Sequence, residues 1–305
     1  MSWSAKPTSA STNGLLLVAA GAALWGTLGI FFTVLLGYGL APLTLAFLRA
    51  LLTFLILLGG LGALRPTRLR LARRDIPYFL AFGAITVGLF YTVYILAVDL
   101  TSVATAAVLL YTAPVWVMLL AWRLYGEPLG ARQLAALGLA FAGCALVAGA
   151  YDPALLRVNA VGLLAGLTAG LTYALYSIFS VPALRRYSSW TVVTWAVGFG
   201  ALTLAPLVLV QGAAAFAPIL TPSAAWLWLL GLALGPTVGA LALYTTGLKH
   251  VPAGVASVTA TLEPVVATLL AVVALGERLA PPQIFGGALI LAAVALLAGR
   301  GITNK

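Results

Sequence analysis

A chain of 305 residues in which 63% of side chains are hydrophobic and only 7% charged is not an ordinary soluble domain, which carries about 25% charged residues, and is too apolar to be disordered. Ten crossings of roughly 20 residues each would use about 200 residues, which leaves loops and tails too short for a soluble catalytic domain. The net charge of +10 points, in so apolar a chain, to loops facing anionic lipid rather than to nucleic acid, while one cysteine and one histidine cannot build a disulfide framework or a His/Cys zinc site, so no cofactor is expected.

The chain opens with a polar tail over 1–13, carrying Lys6 and Trp3. Apolar runs then predict ten membrane helices over 14–36, 42–62, 76–97, 102–123, 131–149, 159–180, 190–212, 224–247, 252–275 and 281–299, and a tail over 300–305 closes the chain. The first run is too long for a signal-peptide core and lacks a cleavage site, so it counts as a span. These runs are continuous rather than alternating, which excludes a barrel. Trp25-Gly26 falls in span 1 and Arg49 in span 2. An arginine-rich loop (Arg65 to Arg74) follows, read as a cytoplasmic loop, with a lipid-headgroup or regulatory site as the other reading. Span 3 carries Tyr94, span 4 carries Tyr111, Thr112 and Pro114 before Gly126-Glu127, and span 5 carries Cys144, a buried filler. Span 6 shows a four-residue glycine ladder (Gly162, Gly166, Gly170) that suits close helix packing, and also Tyr173. Span 8 repeats the ladder (Gly231, Gly235, Gly239) and carries Tyr244. Lys249 and His250 make a short polar loop. Span 9 carries Thr259, Glu263 and Pro264 before Gly276-Glu277. Trp190, Trp226, Trp228 and Trp3 fall at interfaces, as aromatic anchors do.

With the N-terminus in the cytoplasm, the inner segments hold thirteen of the sixteen Lys and Arg, the outer loops hold two (Arg157 and Arg278), and Arg49 lies inside a span. That bias sets the orientation, with both termini cytoplasmic. The halves also correspond. An offset of 150 pairs Tyr94 with Tyr244, Ala113-Pro114-Val115 with Glu263-Pro264-Val265, Gly126-Glu127 with Gly276-Glu277, and Gln133 with Gln283. An offset of 148 pairs Gly14 with Gly162 and Trp25-Gly26 with Tyr173-Ala174. Five crossings per unit is odd, so the second copy enters the membrane inverted. The expected fold is an all-α integral membrane protein of ten helices in two inverted five-helix repeats, 14–150 and 159–299, and inverted repeats are the architecture of alternating access.

These residues resemble the drug/metabolite transporter superfamily, in its ten-span branch with two EamA-type repeats, and within it the YddG-type amino-acid exporters. The resemblance rests on Trp25-Gly26, Arg49, the Pro-Val of spans 4 and 9 and the two Gly-Glu pairs. It implies a ten-helix basket around a central cavity in a bacterial inner membrane, exporting amino acids or similar small metabolites. Efflux of organic cations or drugs is the alternative, and exchange of sugar phosphates or nucleotide sugars a weaker one, since dianions call for several buried cations and only Arg49 qualifies. The small multidrug relatives carry an acid in their first span; span 1 here has none.

Among the residues themselves, Glu263 and Arg49 are the two deep charges, and each needs an account in lipid. They are read either as cavity groups that bind a zwitterion's ammonium and carboxylate, with proton coupling open to Glu263, or as a structural ion pair, with Arg49 snorkelling as a further option. Trp25, Tyr111, Thr112, Tyr173 and Thr259 complete the candidate substrate site. Tyr94 and Tyr244, at opposite ends of matching spans, and the matching Pro114 and Pro264 are candidate gating residues; the prolines are expected to kink their helices and displace the carbonyls of Leu110 and Ala260. No nucleotide-binding Gly-rich motif occurs, and the six acidic residues are scattered singly. A membrane enzyme is therefore not expected. The partners are a small-molecule substrate and lipid, and the sequence specifies no oligomeric state.

Overall fold

The structure, a computed structural model, describes residues 11–220, 223–276 and 278–298. Trp3, Lys6, Glu277, Arg300, Lys305 and most of both expected tails lie outside the described residues.

Among the described residues the chain is helical and without strands. Nine helices among these residues are long and apolar enough to cross a bilayer: Thr12–Gly37, Pro42–Leu64, Arg73–Leu100, Val103–Tyr125, Ala160–Ala183, Ser189–Leu209, Ala224–Gly247, Ala253–Ala274 and Pro281–Ala298. A shorter apolar helix, Ala131–Val147, is span 5. It ends two residues before its expected limit because Gly149 turns left-handed at φ +86°, a conformation that glycine adopts without steric cost. Helices are the forced choice here, since lipid offers no partner to a backbone N–H or C=O. This is an all-α integral membrane protein of two five-helix repeats.

The repeat is visible in the packing. Span 1 lies on span 8 as span 6 lies on span 3, and span 1 on span 9 as span 6 on span 4. Spans 2 and 7, 4 and 9, and 5 and 10 pair with their own counterparts. Local details recur as well. Spans 3 and 8 each contain a wide π-helical turn, at Ala84–Leu89 and Ala233–Gly239. Spans 4 and 9 end on left-handed glycines, Gly126 and Gly276. Spans 5 and 10 both begin with a glutamine folding back on the backbone: Gln133 Oε1 accepts from Gly130 N at 3.2 Å and Gln283 Oε1 from Ala280 N at 3.0 Å.

Pro114 and Pro264 do not kink continuous helices as expected. Spans 4 and 9 are each broken, at Tyr111–Thr112 and at Thr261, and both prolines stand in the first turn of the new segment. There a missing N–H removes no hydrogen bond. The hydroxyls of Thr112 and Thr261 donate to the carbonyls of Leu109 and Val258, both at 2.6 Å, and satisfy the frayed ends.

At two of the three prolines inside helices, Pro236 and Pro182 but not Pro206, a side chain supplies the lost donor. Pro236 leaves the Leu232 carbonyl unmatched, and Thr237 Oγ1 donates to it at 2.7 Å. Pro182 likewise frees the Ile178 carbonyl, and the Tyr125 hydroxyl of span 4 donates to it. A buried orphan acceptor costs about 1–3 kcal/mol. Tyr125→Phe is therefore expected to destabilise the protein by that amount, measurable as a lower melting temperature in detergent.

The glycine ladder of span 6 is a packing face. Cβ atoms added at Gly162, Gly166 and Gly170 would approach Thr101, Leu109 and Thr112 to 2.5, 2.5 and 2.6 Å. The span 8 ladder is only partly so. Gly231 and Gly239 meet Phe31 and Leu24, whereas Gly235 has nothing within 4 Å. It sits in the π turn, whose extra residue rotates it off the four-residue register. Cys144 is fully buried, as expected of a filler.

Candidate functional site

The basic end is the end of the bundle that carries Arg65 to Arg74; the opposite end is called the far end. A cavity of about 540 Å³ enters from the far end, between Leu36 and Pro42 on one side and Val98 and Val103 on the other. It reaches the bundle centre and stops on a floor that includes Thr86, Tyr176, Ser177 and Tyr244.

Both deep charges face this cavity. Arg49 comes from span 2, seven residues in from its far-end start, and is 7% exposed. Its guanidinium lies 5.3 Å from the Tyr91 ring centre and 6.0 Å from that of Phe32, within reach of cation–π attraction. Among the described residues no carboxylate or carbonyl accepts from it, and no salt bridge joins it to Glu263. Of the readings open to Arg49, the described residues show neither the structural ion pair with Glu263 nor snorkelling to the surface. Glu263 stands in the first turn of the second segment of span 9, just past the break at Thr261, and lines the cavity together with Tyr173 of span 6. The break places this acid in the first turn of a helix, whose positive end favours an anion.

Trp25 also lines the cavity. Its ring packs 5.1 Å from Tyr244 and 6.4 Å from Tyr173. Of the other expected substrate residues, Tyr111, Thr112 and Thr259 are absent from the wall. Tyr111 and Thr112 form the span 4 break, and the Thr259 hydroxyl donates within its own helix to Val255 O at 2.8 Å. Pro114 and Pro264 are likewise absent from the wall. Residues not singled out from the sequence fill those places: Phe90, Tyr91, Tyr176 and Ser177. A signal existed for them, since Phe90, Tyr91 and Tyr94, and Tyr173, Tyr176 and Ser177, recur at helical spacing on one face.

Tyr94 and Tyr244 lie at the two ends of the cavity. Tyr94 stacks on Phe90 beside the opening, ring centres 5.9 Å apart. Tyr244 is 4% exposed at the floor and bonds Ser177 Oγ at 2.6 Å, while neighbouring Tyr176 bonds Thr245 Oγ1 at 3.0 Å. Below this pair of hydroxyl bonds an aromatic plug fills the bundle. Phe82 packs on Tyr176 and Phe179, and Phe79 on Phe82 and Tyr187. Under the plug, Glu127 is 9% exposed. Its two oxygens accept from Ala253 N at 2.8 Å and Gly254 N at 3.0 Å. The Gly126-Glu127 pair ends span 4, Gly126 turning left-handed and Glu127 N donating to Ala121 O at 3.3 Å, and the Glu127 carboxylate in addition caps the start of span 9.

The arrangement is a pocket open at the far end that holds one cation, Arg49, and two acids, Glu263 at depth and Asp99 beside the opening, lined by aromatic rings and sealed at the other end. A model of the EamA-like transporter family matches residues 12–149 and again 160–299. An uncharacterized transporter of Archaeoglobus fulgidus is 34% identical over 244 residues, covering 79% of this chain and 84% of that protein. A probable terminal-alkyne amino-acid exporter of Streptantibioticus cattleyicolor is 32% identical over 274 residues, 88% of this chain and 87% of that protein. The inner membrane transporter YicL of Salmonella typhimurium is 26% identical and covers 93% of this chain and 95% of its own length. A crystal structure at 22% identity superposes with a TM-score of 0.78 over 96% of this chain and 100% of that one, a likeness of fold.

Proposed function

Because this chain belongs to the EamA-like transporter family, and its cavity is lined by both a buried arginine and a glutamate, we propose that it is a secondary transporter that exports zwitterionic metabolites, amino acids foremost, by alternating access. The observation that carries this reading is Arg49, buried and with no acceptor among the described residues. A guanidinium in that state is poised for a carboxylate, and Glu263 is available to the ammonium. The aromatic wall suits an apolar or aromatic side chain. The exporter name of the Streptantibioticus relative supports the substrate class. Organic-cation efflux is the second reading, since Glu263 and Asp99 both line the cavity, and Arg49 at its centre is what favours a carboxylate-bearing substrate over a bare cation.

Placing the basic end in the cytoplasm follows from the arginine bias, and a bacterial inner membrane is the location that the name of the Salmonella relative gives. The cavity then faces outward. In the inward-facing state the mirror contacts would close. The repeat mates of Tyr244–Ser177 are Tyr94 and Gly29, and those of Thr245–Tyr176 are Ile95 and Leu28. All four line the open cavity. The outer closure thus lacks both hydroxyl bonds of the inner one, which biases the resting protein toward the outward-facing form. Removing one such bond, about 1 kcal/mol, should shift that equilibrium roughly fivefold. Tyr244→Phe is thus expected to speed labelling of a Thr86→Cys cysteine, in a Cys144→Ala background, by an impermeant thiol reagent applied from the basic end.

Proteoliposomes loaded with mixed radiolabelled amino acids test the substrate class. At least one amino acid should leave faster than from protein-free vesicles. Efflux no faster than the control for every amino acid, with organic cations effluxed instead, would move the assignment to the alternative. The same vesicles with and without a pH gradient read out proton coupling.

A further inference from the structure

A second groove, of about 430 Å³, lies at the basic end between the last turns of span 2 and the start of span 7. Its walls are Ile56, Leu57, Leu61 and Leu64 along span 2, with Trp190 opposite and Arg65 and Arg68 at its end. Gly60 forms its trough: a Cβ there would meet nothing within 4 Å. The groove is open to the surroundings of the helix bundle, as the 82% exposure of Leu64 attests.

The arginines are held in place by their backbone and are free at their heads. Thr191 Oγ1 donates to Arg68 O at 2.7 Å, Trp195 Nε1 to Leu69 O at 3.1 Å, and the Asp75–Arg186 ion pair at 3.0 Å fastens the end of the same loop. Among the described residues neither the Arg65 nor the Arg68 guanidinium has an acceptor. Lys249 stands near enough to Arg68 to feel its charge: its ammonium is held below the usual lysine range, by partial burial first and by Arg68 second. The site is thus a hydrocarbon-lined trough ending in concentrated positive charge at headgroup level, with an interfacial tryptophan alongside.

We propose that this groove seats one anionic phospholipid, its phosphate on Arg65 and Arg68 and one acyl chain laid along Leu57, Gly60 and Leu61. The charge selects an anionic headgroup over a zwitterionic one, and the glycine trough selects a chain over a bare ion. Each surface arginine contributes roughly fivefold to anionic-lipid affinity, so two give about 30-fold.

The full chain in detergent, titrated with phosphatidylglycerol and phosphatidylcholine of identical acyl chains and read by native mass spectrometry, should retain one phosphatidylglycerol with about that preference. The Arg65→Gln/Arg68→Gln variant should fall to the phosphatidylcholine level. Gly60→Phe, which fills the trough and keeps both cations, should weaken phosphatidylglycerol binding roughly tenfold, the equivalent of one to two methylenes displaced. Equal retention of the two lipids, or undiminished phosphatidylglycerol binding by the double arginine variant, overturns the proposal. So does displacement by inorganic phosphate as effective as by phosphatidylglycerol itself, which would mark a phosphate site without a chain seat. Should a variant fail to fold, brominated lipids give the answer on the wild type. Brominated phosphatidylglycerol should quench a fluorescence component that Trp190→Phe lacks, and equal quenching by brominated phosphatidylcholine refutes the assignment.

Discussion

Arg49→Gln is expected to abolish amino-acid efflux from proteoliposomes while the protein remains folded, and Arg49→Lys is expected not to restore it. A hydrogen bond to a charged partner contributes about 1.5–3 kcal/mol, roughly 10- to 150-fold in affinity, and a bidentate guanidinium–carboxylate pair lies at the upper end. Lysine keeps the charge but not the planar fork, and it loses the stacking that holds Arg49 between Tyr91 and Phe32. The sign of the stability change separates the ligand role from a structural one. Burying a cation near mid-membrane costs roughly 2.5–3.5 kcal/mol, and no described protein group offsets that cost with a hydrogen bond or salt bridge to the guanidinium. Glutamine should therefore leave the melting temperature unchanged or raise it. A variant that loses both transport and expression would mean that Arg49 holds the bundle together and would remove the main support for the zwitterion site. Glu263→Gln is the companion measurement: it should spare a substrate's carboxylate contact and weaken recognition of its ammonium, so the two variants should lose different substrate analogues.

The sequence carried the fold much further than the site. Ten apolar runs, the arginine alternation and an offset of 150 residues suffice for the helix count and the repeat, because lipid leaves the backbone almost no choice. Arg49, Glu263, Trp25 and Tyr173 stood out for a related reason: a charge or a large amphipathic ring in mid-membrane must turn inward. Tyr111 and Thr259 satisfied the same reasoning and still miss the cavity wall. Which way a helix faces is set by its rotation, and a helix apolar on every side has no polar face to fix that rotation. The break at Tyr111–Thr112 and the π turns at Ala84–Leu89 and Ala233–Gly239 reset the rotation within a single span, and the last of them displaces Gly235 from its ladder. Nor does local sequence say that Glu127 reaches Ala253, 126 residues away. Only the packing of span 4 on span 9 brings them together.

That contact sets the second large expectation: Glu127→Ala should cost more stability than any other single truncation at the basic end. The carboxylate accepts the first two N–H groups of the Ala253–Ala260 segment, immediately after Pro252, which has no donor of its own. It also lies against the positive end of that helix. Alanine would leave two buried donors unsatisfied, at about 1–3 kcal/mol each, for a total of about 2–6 kcal/mol. Glutamine retains one accepting oxygen but turns an NH2 toward the second N–H, so it should fall between alanine and wild type. The loss would not be spread evenly over the molecule. Glu127 belongs to the first repeat and its partners to the second, and the bond lies beneath the aromatic plug, so the variant should open the basic end before it unfolds the bundle. Thiol labelling at Thr86→Cys from that side should therefore accelerate in Glu127→Ala by more than in Tyr244→Phe, where one hydroxyl bond is lost instead of two carboxylate bonds. If Glu127→Ala melts at a lower temperature yet labels no faster, the carboxylate is a helix cap alone, and the seal at the basic end rests on the aromatic plug and the Tyr176 and Tyr244 hydroxyls.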